Sequence, residues 1–146
     1  MKYLAGVLLI SLFVGVSLAG CQGDGLNTIP EDSMWELESF DSGGEEIKVL
    51  PGTNITLKFE EENKFGGSAG CNSYGGSYEL GEENSNSISM DSIFATEKWC
   101  LNEGIMDQES RFLTAMQEVS SYEVTPDHLK LFYDNGNSSL NFIRLD

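Results

Sequence analysis

The sequence predicts an α+β fold: a strongly curved antiparallel sheet, or small open β-barrel, of seven or eight strands with one amphipathic helix. Three observations point there. Apolar residues recur with period two in short stretches across residues 34–145, whereas residues 101–121 alone switch to a period near three and a half. Between them, residues 66–78 interleave Gly66, Gly67, Gly70, Gly75 and Gly76 with Cys71, Tyr74 and Tyr78. A flexible linker does not alternate glycine with aromatics and cysteine; a kinked, closely approaching strand pair does.

The chain has 146 residues, room for one ordinary domain. Residues 1–20 read as a signal peptide, with Lys2 as its positive charge, an apolar run from Leu4 and the small-residue ending Leu18-Ala19-Gly20. The apolar segment from Leu4 to Ala19 is 16 residues, short of the roughly 20 that cross a bilayer. Leu18-Ala19-Gly20-Cys21 resembles the lipobox of prokaryotic lipoprotein precursors. That resemblance implies cleavage before Cys21, a lipid on Cys21 and a chain held on the cell membrane or outer membrane. The lipidated tether is expected to occupy residues 21–33 and the domain residues 34–146.

Met34 to Phe40 places Trp35 and Leu37 on one side and glutamates on the other, a first strand. Ile47 to Leu50 is a short second strand stopped by Pro51-Gly52. In residues 53–60, Ile55, Leu57 and Phe59 alternate with Asn54, Thr56, Lys58 and Glu60, so one face is buried and the other wet. The glycine-rich pair follows, then a polar tip over residues 81–87 and a strand through Ile88, Met90, Ile93 and Phe94. In the helix, Ile105, Phe112, Leu113, Met116 and Val119 share a stripe, while Gln108, Arg111, Thr114, Gln117 and Glu118 are expected to face water. Tyr122-Glu123-Val124 and residues 129–133 return to alternation; Asp134-Asn135-Gly136 signals a hairpin, and residues 140–145 close the sheet.

The formal charge is −16, and −17 once Lys2 is removed with residues 1–20. Such a surface repels nucleic acid and anionic headgroups and suits a cationic partner or a saline habitat. The runs Glu60-Glu61-Glu62 and Glu82-Glu83 read as solvating surface.

Several of these residues carry a family resemblance. Trp35-Glu36-Leu37, the block from Gly67 through Gly70, Cys71, Asn72, Ser73 and Tyr74 with Gly76-Ser77-Tyr78, Thr96 with Cys100, Met106 with Glu109 to Leu113, and the terminal hairpin around Leu129, Leu131, Gly136, Leu140 and Phe142 resemble the META domain family of HslJ-like envelope lipoproteins. The likeness spans residues 32–146. It implies a small curved β structure with one helix, similar to the secretin pilot lipoproteins, and marks Gly70, Asn72, Tyr74, Gly76 and Tyr78 as its structural motif. It also implies a link to heat stress and envelope integrity with no agreed reaction.

With Cys21 acylated, Cys71 and Cys100 remain as an even pair in an exported protein, which favours a disulfide over two reduced, buried thiols. Gly66-Gly67-Ser68-Ala69-Gly70 matches the G-x-S-x-G pattern of a nucleophile elbow. That elbow needs a strand-to-helix turn and a histidine partner, but Ser68 runs on into strand and His128 lies on the polar side of another. No catalytic residue is therefore assigned. One histidine and two distant cysteines do not make a zinc site, and no calcium-loop spacing occurs, so neither metal nor cofactor is expected. The expectation is a monomeric, non-enzymatic envelope lipoprotein that binds another envelope protein or lipid. The alternative is a carrier or assembly pilot using an apolar trough between helix and sheet.

Overall fold

The computed structural model describes residues 28–82 and 85–145. The signal segment, Cys21 and the first part of the tether lie outside these residues, as does Glu83. Nine strands and one helix follow in the order β1 (Met34–Ser42), β2 (Glu45–Lys48), β3 (Thr56–Glu60), β4 (Lys64–Ser68), β5 (Ser73–Leu80), β6 (Ile88–Ala95), α1 (Ile105–Glu118), β7 (Ser121–Val124), β8 (His128–Tyr133) and β9 (Ser138–Arg144). Eight strands form one antiparallel path, β6-β5-β4-β3-β1-β9-β8-β7, and β2 pairs with β1 beside it. The path curls into a half-barrel. Its outer strands meet at one end, where Ser87 bridges Ser121 and the Tyr122 N–H donates to the Asn86 carbonyl at 2.9 Å. Among the described residues, no helix is long and apolar enough to cross a membrane.

Period-two alternation sends Ile55, Leu57 and Phe59 of the β3 region, Leu129 and Leu131 of β8, and Leu140 and Phe142 of β9 into one core. In β1 the pairing with β9 slips between Leu37 and Ser39, a bulge that lets Trp35, Leu37 and Phe40 all point inward despite their uneven spacing. The packed region begins earlier than the expected tether boundary, because Ile29 and Ser33 are buried, and Ser33 Oγ accepts a 2.9 Å bond from the Trp35 indole. The turn at Asp134-Asn135-Gly136 is a hairpin with positive φ at all three residues, wider than the two-residue form.

Helix α1 lies across the open side of the curl. Phe112 and Met116 are completely buried and Ala115 nearly so, and the Phe112 ring meets Tyr74 edge-on at 5.1 Å. These side chains occupy the space beneath the helix. The expected outward face needs correction: Gln108 is buried, as is its neighbour Glu109, whereas Leu113 is only partly covered. The helix begins at Gly104, with φ +81° and no side-chain cap, and Leu50 packs 3.2 Å from where a Cβ would stand.

Candidate functional site

The glycine-rich hairpin is bent where its backbone approaches its neighbours. At Gly67 a Cβ would stand 2.1 Å from the Thr56 carbonyl oxygen, and at Gly76 2.7 Å from both the Asp91 carbonyl oxygen and the Phe65 ring. Any side chain at either position would force backbone apart. At Gly70 a Cβ would meet Ile55 and Gln108 only at ordinary contact distances of 3.7 and 3.8 Å, but the φ of +109° is one that L side chains avoid. Between β4 and β5 this freedom produces a tight turn, closed by the Ala69 N–H donating to the Asn72 carbonyl at 2.7 Å.

Asn72 is the centre of that turn and is almost entirely buried. Its Nδ2 donates to Glu109 Oε1 at 2.6 Å and to the Lys98 carbonyl at 3.1 Å. Its Oδ1 accepts from Thr96 Oγ1 at 2.8 Å and from the Lys98 N–H at 2.7 Å. Two donor and two acceptor positions are thus all used, which only an amide can do here. Glu109 is buried too, and its Oε2 accepts from the backbone N–H groups of Cys71 and Asn72 at 3.1 and 2.6 Å. One helical carboxylate therefore clamps the turn with three charge-assisted hydrogen bonds. Beside it, Gln108 accepts from the Leu50 N–H at 2.7 Å and donates to Thr53 Oγ1 at 3.0 Å, so consecutive helix residues hold two different loops.

A disulfide joins Cys71 to Cys100, with Cα atoms 6.0 Å apart. Together with Asn72 it fixes the loop that follows β6. Tyr74, in the next strand position but one, is buried and donates through its hydroxyl to the Thr56 carbonyl at 2.9 Å. Burial pushes its phenol well above the ordinary value, and pushes that of Tyr78 up as well, with the nearby charge of Glu31 adding to it. Tyr78 packs edge-on against Phe59 at 5.1 Å. The motif residues Gly70, Asn72, Tyr74 and Gly76 thus gather around one turn and its following strand, while Tyr78 serves the other end of β5.

Ser68 ends β4, accepts a 3.2 Å bond from the Gly70 N–H and is followed by a turn into β5. His128 opens β8, with β3, β1 and β9 between it and β4 in the sheet. Among the described residues, no group of three or more His, Cys, Asp or Glu is gathered that could hold a metal. Sequence periodicity missed Gln108 and Glu109. The available signal was a polar pair interrupting the apolar stripe one turn before Phe112.

A half-barrel whose glycine-rich hairpin is tied to helix α1 by a buried carboxylate defines a small α+β domain. The META domain model matches residues 28–146, and the chain belongs to that family. A protein from Burkholderia xenovorans solved by NMR is 27% identical, with a TM-score of 0.67 over 79% of this chain and 83% of that one. A crystal structure of a DUF4847 family protein from Bacteroides vulgatus, 12% identical, gives a TM-score of 0.59 over 84% of this chain and all of the other. Another NMR structure, 18% identical, reaches 0.57 over 77% and 89%. No curated protein matches.

Proposed function

We propose that this chain is a lipid-anchored, non-enzymatic envelope lipoprotein whose META domain supports stress tolerance by binding another component of the envelope. The observation that carries the reading is the ending Leu18-Ala19-Gly20-Cys21 on an apolar run, set before a META domain. The polar groups around the Gly70–Asn72 turn are spent on structural hydrogen bonds, which leaves them suited to shape rather than to chemistry. A carrier would need an open trough beneath the helix, where Phe112 and Met116 are completely buried.

Fatty-acid labelling of the expressed full-length chain tests the anchor. Wild type is expected to take up label and fractionate with membranes, and Cys21→Ala to do neither. A deletion strain should lose survival under heat or envelope stress, and regain it with wild type but not with Cys21→Ala. An unlabelled, freely soluble wild-type chain would refute the anchor, and an unaltered deletion strain would refute the stress role.

A further inference from the structure

Of the large apolar side chains at the surface, Leu101, Trp99 and Phe94 are the most exposed, at 89%, 76% and 69%. Phe94 has a local task, since its ring covers the Cβ-less face of Gly75. Trp99 and Leu101 have none, yet they flank Cys100 on a loop tied down at Thr96, Lys98 and Cys100. The Thr96 N–H donates to the Ser73 carbonyl at 3.0 Å, Asn72 grips Lys98 by both its N–H and its carbonyl, and the disulfide pins Cys100. The backbone that carries this indole and isobutyl group is braced, so little backbone freedom is left to lose on binding. Together with Asn102, Glu103, Met106 and Asp107, Trp99 and Leu101 line a recess of about 280 Å³.

We infer that Trp99 and Leu101 form the docking knob for a protein partner that offers an apolar pocket rimmed by Lys or Arg. This rests on the binding role proposed above and names its surface. The partner's chemistry follows from the surroundings. Glu97, Glu103 and Asp107 flank the knob against Lys98 alone, on a chain of formal charge −16. A second copy would bring these acids face to face, and an anionic bilayer would be repelled. Chain direction also disfavours lipid. The described chain enters beside the far end of β5, where the Ser33 carbonyl accepts from the Phe59 N–H at 3.1 Å and the Phe59 ring packs on Tyr78. Tyr78 is six residue steps along the chain from Asn72, about 20 Å at the rise of a strand. The knob therefore sits at the end of the β4–β5 hairpin remote from where the described chain enters the domain.

The test places a photo-crosslinking residue at position 99, and separately at 101, in the full-length chain in its own cells, with Ile47 and Leu80 as control positions. Both knob positions should trap the same protein through a peptide carrying apolar residues beside Lys or Arg, and the controls should not. The purified partner should bind the Trp99→Ser, Leu101→Ser double variant about 30-fold more weakly, with unchanged melting temperature and membrane attachment. Adducts with lipid, with a second copy of the chain, or at all positions alike would overturn the inference, as would no adduct. If the double variant rescues the deletion strain fully while Cys21→Ala does not, the knob fails and the anchored role stands. If the knob traps its partner on a chain that carries no lipid, the reverse holds.

Discussion

The wall made by β1, β9 and β8 and the turn between β4 and β5 are held by opposite means. In the wall, Leu37, Phe40, Leu129, Leu131, Leu140 and Phe142 bury apolar side chains, and the few buried polar ones there are small hydroxyls such as Ser39 and Ser139, bonded to Asn141. At the turn, Asn72 and Glu109 are equally buried but consist of donors and acceptors whose partners must each be in place. Burial of apolar area is nondirectional and tolerates changes of shape, whereas a buried polar group is stable only while every bond is made. The wall should therefore forgive conservative substitution and the turn should not.

The sharpest way to expose this difference is Asn72→Asp. It replaces the two Nδ2 donor bonds by a carboxylate facing Glu109 and the Lys98 carbonyl. A loss of about 3–5 kcal/mol is expected in urea unfolding, the scale of an uncompensated buried charge. Removing the disulfide through a Cys71→Ala, Cys100→Ala double variant should cost about 3–4 kcal/mol, since the cysteines lie 29 positions apart. It should also free the Trp99 loop, seen as faster amide exchange over residues 96–101. Glu109→Gln keeps the volume but drops the charge that receives three donors, and about 1–3 kcal/mol should go with it. Leu131→Met, a volume-conserving change in the wall, should stay below about 1.5 kcal/mol. If that swap costs as much as Asn72→Asp, the contrast between the two regions is wrong.

The smallest effect concerns alkaline pH. Burial raises the Tyr74 phenol in the folded state, so below pH 10 the residue is neutral both folded and unfolded and its contribution is fully present. Above pH 10 the unfolded chain ionises first, and stability falls as pH climbs toward the raised value. Tyr74→Phe should flatten that fall while lowering stability at neutral pH by about 1 kcal/mol for the lost bond to the Thr56 carbonyl. A wild-type slope above pH 10 equal to that of the variant would assign the alkaline loss to other groups.

The wall and the neighbouring β3 were legible because alternation in residues 53–60, 129–133 and 140–145 reports directly which side chains a half-buried strand turns inward. Even there, the bulge after Leu37 escaped notice until β9 was seen to slip against β1. The helix was legible in position but not in its full buried face. Gln108 and Glu109 are polar, and periodicity assigns polar residues to water; their partners on Leu50, Thr53, Cys71 and Asn72 lie 37 to 58 positions away in the chain.

By itself, the sequence determined the local chemistry of this protein: which stretches extend, which coils, where glycine lets the backbone turn, and how acidic the surface is. Those properties depend on each residue and its near neighbours. Only the tertiary structure decided that a helical carboxylate closes the Gly70–Asn72 turn, and that Trp99 and Leu101 stand outside the core that most other aromatics fill. A buried hydrogen bond forms between groups that are distant in the chain, so its existence is settled when the sheet curls and the helix lands.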